Sequence, residues 1–110
     1  MCGIAGCFGT VPLDDERVRR TLDLMRRRGP DKRAFKTFAT DARHVTLLHS
    51  RLSIIDLDDR AHQPFNIGAK WLTFNGELYN YVELRDELKG EGHVFTTQSD
   101  TEVLLRVIDA

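Results

Sequence analysis

The chain has 110 residues, the usual size of one domain, so a single core is expected. Sixteen basic against seventeen acidic residues leave a net charge of −1, which gives no electrostatic footprint for nucleic acid or an anionic membrane and points to a small molecule as partner. No apolar run approaches the ~20 residues of a membrane span, and the opening MCGIAGCFG lacks both a basic region and a long apolar region, so a cytoplasmic protein is expected.

GIAGCF, residues 3–8, is small and apolar, which predicts a buried strand that fixes the N-terminus. Cys2 and Cys7 are an odd number of positions apart and fall on opposite faces of such a strand, so no disulfide is expected between them. A helix is predicted over about 14–28. Asp14 caps it, Leu13 and Val18 stand at staple spacing, and Asp15 and Glu16 favour the positive end of the dipole. Val18, Leu22 and Met25 form its buried face, Arg26, Arg27 and Arg28 its last turn, and Gly29 takes the left-handed cap before Pro30.

AFKTFAT and HVTLLHS predict two strands joined as a hairpin through Asp41-Ala42-Arg43, and KWLTFN predicts a third strand over 70–75. RLSIIDLDDRAHQPFNIG between them reads as a long irregular connection of the kind that often carries function. Asn80 with Glu83 resembles a capping box, followed by Tyr81, Leu84 and Leu88 at helical spacing and by Gly90 and Gly92 as stop signals. VFTT predicts one more short strand. Ser99 with Glu102 repeats the capping box and opens a helix with Val103, Leu104, Val107 and Ile108 on one face. The chain reaches Ala110 inside that helical pattern, so a longer protein is expected.

His44, His49, His62 and His93 are scattered and lack the spacing of a zinc site, so no metal is expected. Cys2 has a property that no internal cysteine has. Once Met1 is removed, its own α-amine lies within reach of its thiol. Such an amine titrates near about 8 and a thiol near about 8.5, so one residue supplies nucleophile and base. By position alone, Cys2 is more simply read as a small apolar residue at a chain end. Attack on an amide creates an oxyanion that needs preorganised donors, and Asn75-Gly76 offers a side-chain amide beside a backbone N–H. The same dipeptide is also the commonest two-residue hairpin turn. Arg51 has the planar fork that grips a carboxylate, and Glu77 and Asp100 are candidate partners for an ammonium group. Each has an ordinary reading as a surface or helix-end charge.

MCGIAG, RRRGPD, HSRLSIIDL, HQPF, FNGELYNYVELRDEL and SDTEVLL, in this order, resemble the glutaminase domain of class II glutamine amidotransferases, of the asparagine synthetase type. The resemblance touches nearly the whole chain. It departs at Arg27, where the family often has histidine before Arg-Gly-Pro-Asp. It implies an α+β fold, the αββα sandwich of N-terminal nucleophile hydrolases, incomplete here because the family's domain is usually longer than 110 residues. It implies Cys2 as nucleophile, Asn75 and Gly76 as oxyanion donors, Arg51 on the substrate carboxylate, Glu77 and Asp100 on its ammonium, and Leu52, Ser53, Ile54 and Ile55 lining the pocket. The implied substrate is L-glutamine, with no cofactor in this domain.

By the same resemblance, ammonia passes to a synthetase domain in cis that uses ATP and Mg, most simply to make asparagine, and a homodimer is compatible with it. Residues 1–110 contain neither G-x-x-x-x-G-K-[ST] nor Ser-Gly-Gly-x-Asp-Ser, so that half and its acceptor lie outside them. Two rival classes are a catalytically silent module that binds glutamine or a partner, and a nucleic-acid module on the arginine-rich first helix. Arg19, Arg20 and Arg26 to Arg28 are more simply read as a solvated face and a helix end.

Overall fold

The computed structural model describes residues 2–52 and 63–110. In chain order the described elements are β1 (Gly3–Gly9), α1 (Asp15–Leu24), β2 (Lys32–Thr40), β3 (Arg43–Arg51), β4 (Phe65–Ile67), β5 (Lys70–Leu72), α2 (Tyr81–Gly90) and α3 (Asp100–Asp109), a mixed α/β arrangement. No helix among the described residues is long and apolar enough to cross a membrane.

β3 is the centre of an antiparallel sheet of order β1-β3-β2, with Gly3 opposite Ser50 on one side and Lys32 opposite Arg51 on the other. Thr40 pairs with Arg43, so the β2–β3 turn is the dipeptide Asp41-Ala42, one residue tighter than the sequence suggests, with Asp41 at φ 51°. Aspartate tolerates that left-handed conformation better than most residues.

One face of the sheet receives α1. Val18, Leu22 and Leu48 are buried together, with Ala5, Leu13 and Met25 packed around them. Each fully buried aliphatic side chain contributes about 2 kcal/mol. Asp14 Oδ1 accepts from the Arg17 N–H at 2.9 Å, the expected N-cap. Strand alternation sends Ile4 and Phe8 to the opposite face, where they are 47% and 69% exposed. Lys36 points to that face too and lies 4.7 Å over the Trp71 ring, which places the β4–β5 hairpin beside the sheet.

Several expected boundaries are corrected. α1 ends at Leu24 rather than near 28, and Gly29 is not in the left-handed region. Residues 25–28 instead form a tight turn, with the Arg28 N–H donating to Met25 O at 3.0 Å, and this brings Gly29 against β3. A Cβ on Gly29 would stand 2.1 Å from Ser50 O, so close backbone approach is what requires glycine there. The stretch read as an irregular connection contains β4, which pairs with a β5 shorter than expected through a turn at Gly68, φ 58°.

Asn80 makes no side-chain capping bond, whereas Gly92 closes α2 at φ 97°. VFTT forms no strand, because the Thr96 and Thr97 N–H groups donate to the buried Glu102 carboxylate. Glu102 therefore does not reach back to Ser99, whose own hydroxyl caps α3 through the Thr101 N–H at 3.0 Å. In α3, Val103 and Leu105 are buried while Val107 and Ile108 are exposed. The Asp109 carboxylate takes a hydrogen bond from Lys70 of β5, and this bond, aided by the ammonium charge, holds its pKa below the ordinary 3.8.

Candidate active site

The sheet brings one group of residues together. Cys2 enters β1 beside the exit of β3, and its half-buried Sγ accepts from the Leu52 N–H at 3.3 Å and lies 3.7 Å from Leu52 O. Arg51, the last residue of β3, is only 7% exposed, and its carbonyl accepts from the Asp31 N–H at 3.0 Å. The antiparallel register thus delivers the thiol to the residues at the start of the expected pocket wall. Cys2 and Cys7 are both free thiols.

A second group is built around the first turn of α3. Asn75, Gly76 and Glu77 lie in the loop between β5 and α2, with Asn75 half-buried and the other two exposed. Among the described residues no strand follows Gly76, so Asn75-Gly76 is not the turn of a hairpin. That removes the competing reading of the dipeptide. Asp100, 6% exposed, accepts from the Leu78 N–H through Oδ2 at 3.0 Å and so fixes the far end of this loop. Ser53, Ile54 and Ile55 lie outside the described residues. The Lys36–Trp71 contact is one link between the scaffolds of the two groups.

Some participants carry no signal in periodicity or spacing. The Arg28 Nε–H donates to Cys2 O at 3.2 Å, although the sequence places Arg28 only at a helix end. Ser50 Oγ donates to Gly29 O at 2.5 Å and lies 3.2 Å from Met25 O, tying the turn after α1 to the end of β3. Gln63, buried, bridges Thr101 and the backbone of Phe74. The presence of RRRGPD, HSR and HQPF among the resembling stretches was the available hint for all three. Among the described residues no group of three or more His, Cys, Asp or Glu side chains is placed to hold a metal ion. Arg19 and Arg20 are exposed, and the described Asp23–Arg33 pair at 2.5 Å shows how the charges of α1 reach their neighbours in the sheet.

The sequence pattern of the glutamine amidotransferase domain matches residues 1–110. Glutamine-hydrolyzing asparagine synthetase 1 of Bacillus subtilis is 41% identical over 112 residues, covering 96% of this chain and 17% of that protein. Asparagine synthetase B of Escherichia coli, also glutamine-hydrolyzing, is 38% identical over 109 residues, covering 96% and 19%. Amidase chry2 of Gibberella zeae is 40% identical over 92 residues, covering 82% and 13%. The chain thus spans less than a fifth of the length of these relatives.

Proposed function

We propose, for a chain that belongs to the glutamine amidotransferase domain family, that Cys2 splits ammonia from the side-chain amide of L-glutamine. The observation that carries the reading is the Cys2 sulfur held against the Leu52 backbone, next to the buried Arg51.

The α-amine of Cys2, freed by loss of Met1, accepts the thiol proton as sulfur forms a bond to the amide carbon. The resulting oxyanion is met by the Asn75 side-chain N–H and the Gly76 backbone N–H. Collapse breaks the C–N bond, and the proton held by the α-amine leaves with nitrogen as ammonia. Water then attacks the γ-glutamyl thioester, releasing glutamate and restoring the thiol. A covalent intermediate divides one difficult step into two easier ones. Arg51 holds the substrate carboxylate by its planar fork, and Asp100 with Glu77 the ammonium, while Leu52 to Ile55 line the pocket. No cofactor enters these steps.

The sandwich of an N-terminal nucleophile hydrolase fits the sheet, which has α1 on one face and apolar Ile4 and Phe8 on the other. Transfer of ammonia to a synthetase domain, with asparagine as product, is supported by the names of the Bacillus and Escherichia relatives. The Amidase chry2 match keeps the acceptor a separate question.

The test is glutamine hydrolysis by the full chain. Intact mass should show Met1 removed, and Cys2→Ala should retain less than about one thousandth of the activity, while Asn75→Ala loses about 10² to 10³ in kcat. Hydrolysis that survives Cys2→Ala, or active protein that keeps Met1, overturns the proposal. A binding module without turnover would bind glutamine yet trap no thioester.

A further inference from the structure

We infer that Gln63 is a positioning residue, whose carboxamide sets the Asn75–Gly76 loop at a fixed distance from the Asp100 helix end. The inference rests on the function proposed above. Gln63 is 7% exposed and its two polar atoms face different elements. Nε2 donates to Thr101 Oγ1 at 3.1 Å, and Oε1 accepts from the N–H of Phe74. Thr101 is the neighbour of Asp100 on α3, and Phe74 is the neighbour of Asn75. One planar amide therefore spans the interval between the residue proposed to hold the substrate ammonium and the residue proposed to meet the oxyanion.

The loop is anchored at its other end by the same helix turn, where the Leu78 N–H donates to Asp100 Oδ2 at 3.0 Å. Residues 74 and 78 are thus both tied to positions 100 and 101, and the segment between them carries Asn75, Gly76 and Glu77. The chemistry selects the side-chain type. The Phe74 N–H requires an acceptor, and the Thr101 hydroxyl receives a donor from the other end of the group. Glutamine supplies both on one rigid plane, glutamate supplies two acceptors and a second negative charge near Asp100, and methionine fills the space with neither. An oxyanion donor displaced by about 1 Å loses much of its effect, so the strut bears on kcat rather than on ground-state binding.

The experiment compares Gln63→Met, Gln63→Glu and Thr101→Val in the full chain, with rates normalised to the Cys2 thiol titrated by alkylation. Gln63→Met is expected to lower kcat for glutamine about 10- to 100-fold with KM within about threefold, and Thr101→Val, which cuts one end only, to fall between it and wild type. Gln63→Glu is expected to stay below wild type. Independently of turnover, amide exchange at Phe74 should speed up at least about tenfold in Gln63→Met while the β1–β3 amides keep their protection. A Gln63→Met enzyme with kcat within twofold of wild type, or with Phe74 exchange unchanged, overturns the inference. Should Gln63→Met not fold, Thr101→Val decides: wild-type kcat overturns the strut, and a lowered kcat with unchanged KM supports it. If the wild-type chain itself shows no Cys2-dependent hydrolysis, the proposed reaction fails, and the Phe74 exchange still decides the strut.

Discussion

The two halves of the candidate site are held by different kinds of bond. Around Cys2 the scaffold is a backbone ladder: β1 and β3 pair from Gly3–Ser50 to Gly9–His44, and the position of the thiol beside Leu52 follows from register. Around Asp100 it is a set of single side chains. Gln63 holds Phe74, Asp100 holds Leu78, Arg85 donates to Gln98 Oε1 and Ser99 O, and Glu102 gathers Thr96 and Thr97. A ladder distributes its load over many main-chain pairs and is insensitive to most substitutions. Brackets concentrate it, so one substitution releases a loop.

That contrast can be broken at its weakest assumption, the ladder's tolerance. Gly29→Ala places a methyl 2.1 Å from Ser50 O and 2.5 Å from Arg51 N, and main chain cannot yield as a flexible side chain does. We expect the largest loss here, about 3 kcal/mol or more in denaturant unfolding, with faster amide exchange in β3 and less in α3. Unchanged stability would show that the turn after α1 is not pressed against β3.

Glu102→Gln probes the brackets. The carboxylate is 1% exposed and accepts from the backbone N–H and hydroxyl of both Thr96 and Thr97, so an amide turns donors toward donors. A loss of about 2 kcal/mol is expected, with exchange rising at Thr96 and Thr97 and the β1–β3 ladder unaffected. Spread of that exchange into β1 would mean that the halves are not independent.

The smallest effect belongs to Asp109→Asn, which removes an exposed pair with Lys70. Because the folded carboxyl titrates below 3.8, its contribution is present above that pH and is lost as pH falls through the lowered folded value. Wild type and Asp109→Asn should therefore differ slightly in Tm at neutral pH and converge in acid. A difference that grows on acidification would contradict the ion pair.

The ladder half was largely legible. Six small or apolar residues after Cys2 gave β1, alternation gave β2 and β3, and Asp14, Leu13 and Val18 gave the start of α1. These are local signals that repeat along the chain. The bracket half was misread where a local pattern had a tertiary competitor. VFTT has strand composition, but the Glu102 carboxylate offers the Thr96 and Thr97 N–H groups a buried partner. The same carboxylate leaves the expected capping box half made, and the β-hairpin reading of Asn75-Gly76 fails because α2 follows where a second strand would be needed.

By itself the sequence determined the family and the N-terminal strand that follows Cys2, and it supplied the residue types for the proposed attack on an amide. Those depend on composition and order along the chain, which the ordered motifs carry without reference to space. Only the tertiary structure decided that the turn after α1 presses Gly29 onto Ser50 and brings Arg28 to the Cys2 carbonyl, and that Gln63 and Asp100 clamp the Asn75 loop from α3. The hydrogen bonds among them join residues 11 to 38 positions apart through side chains whose partners are main-chain atoms or a hydroxyl, and no local pattern in the sequence encodes a partner of that kind.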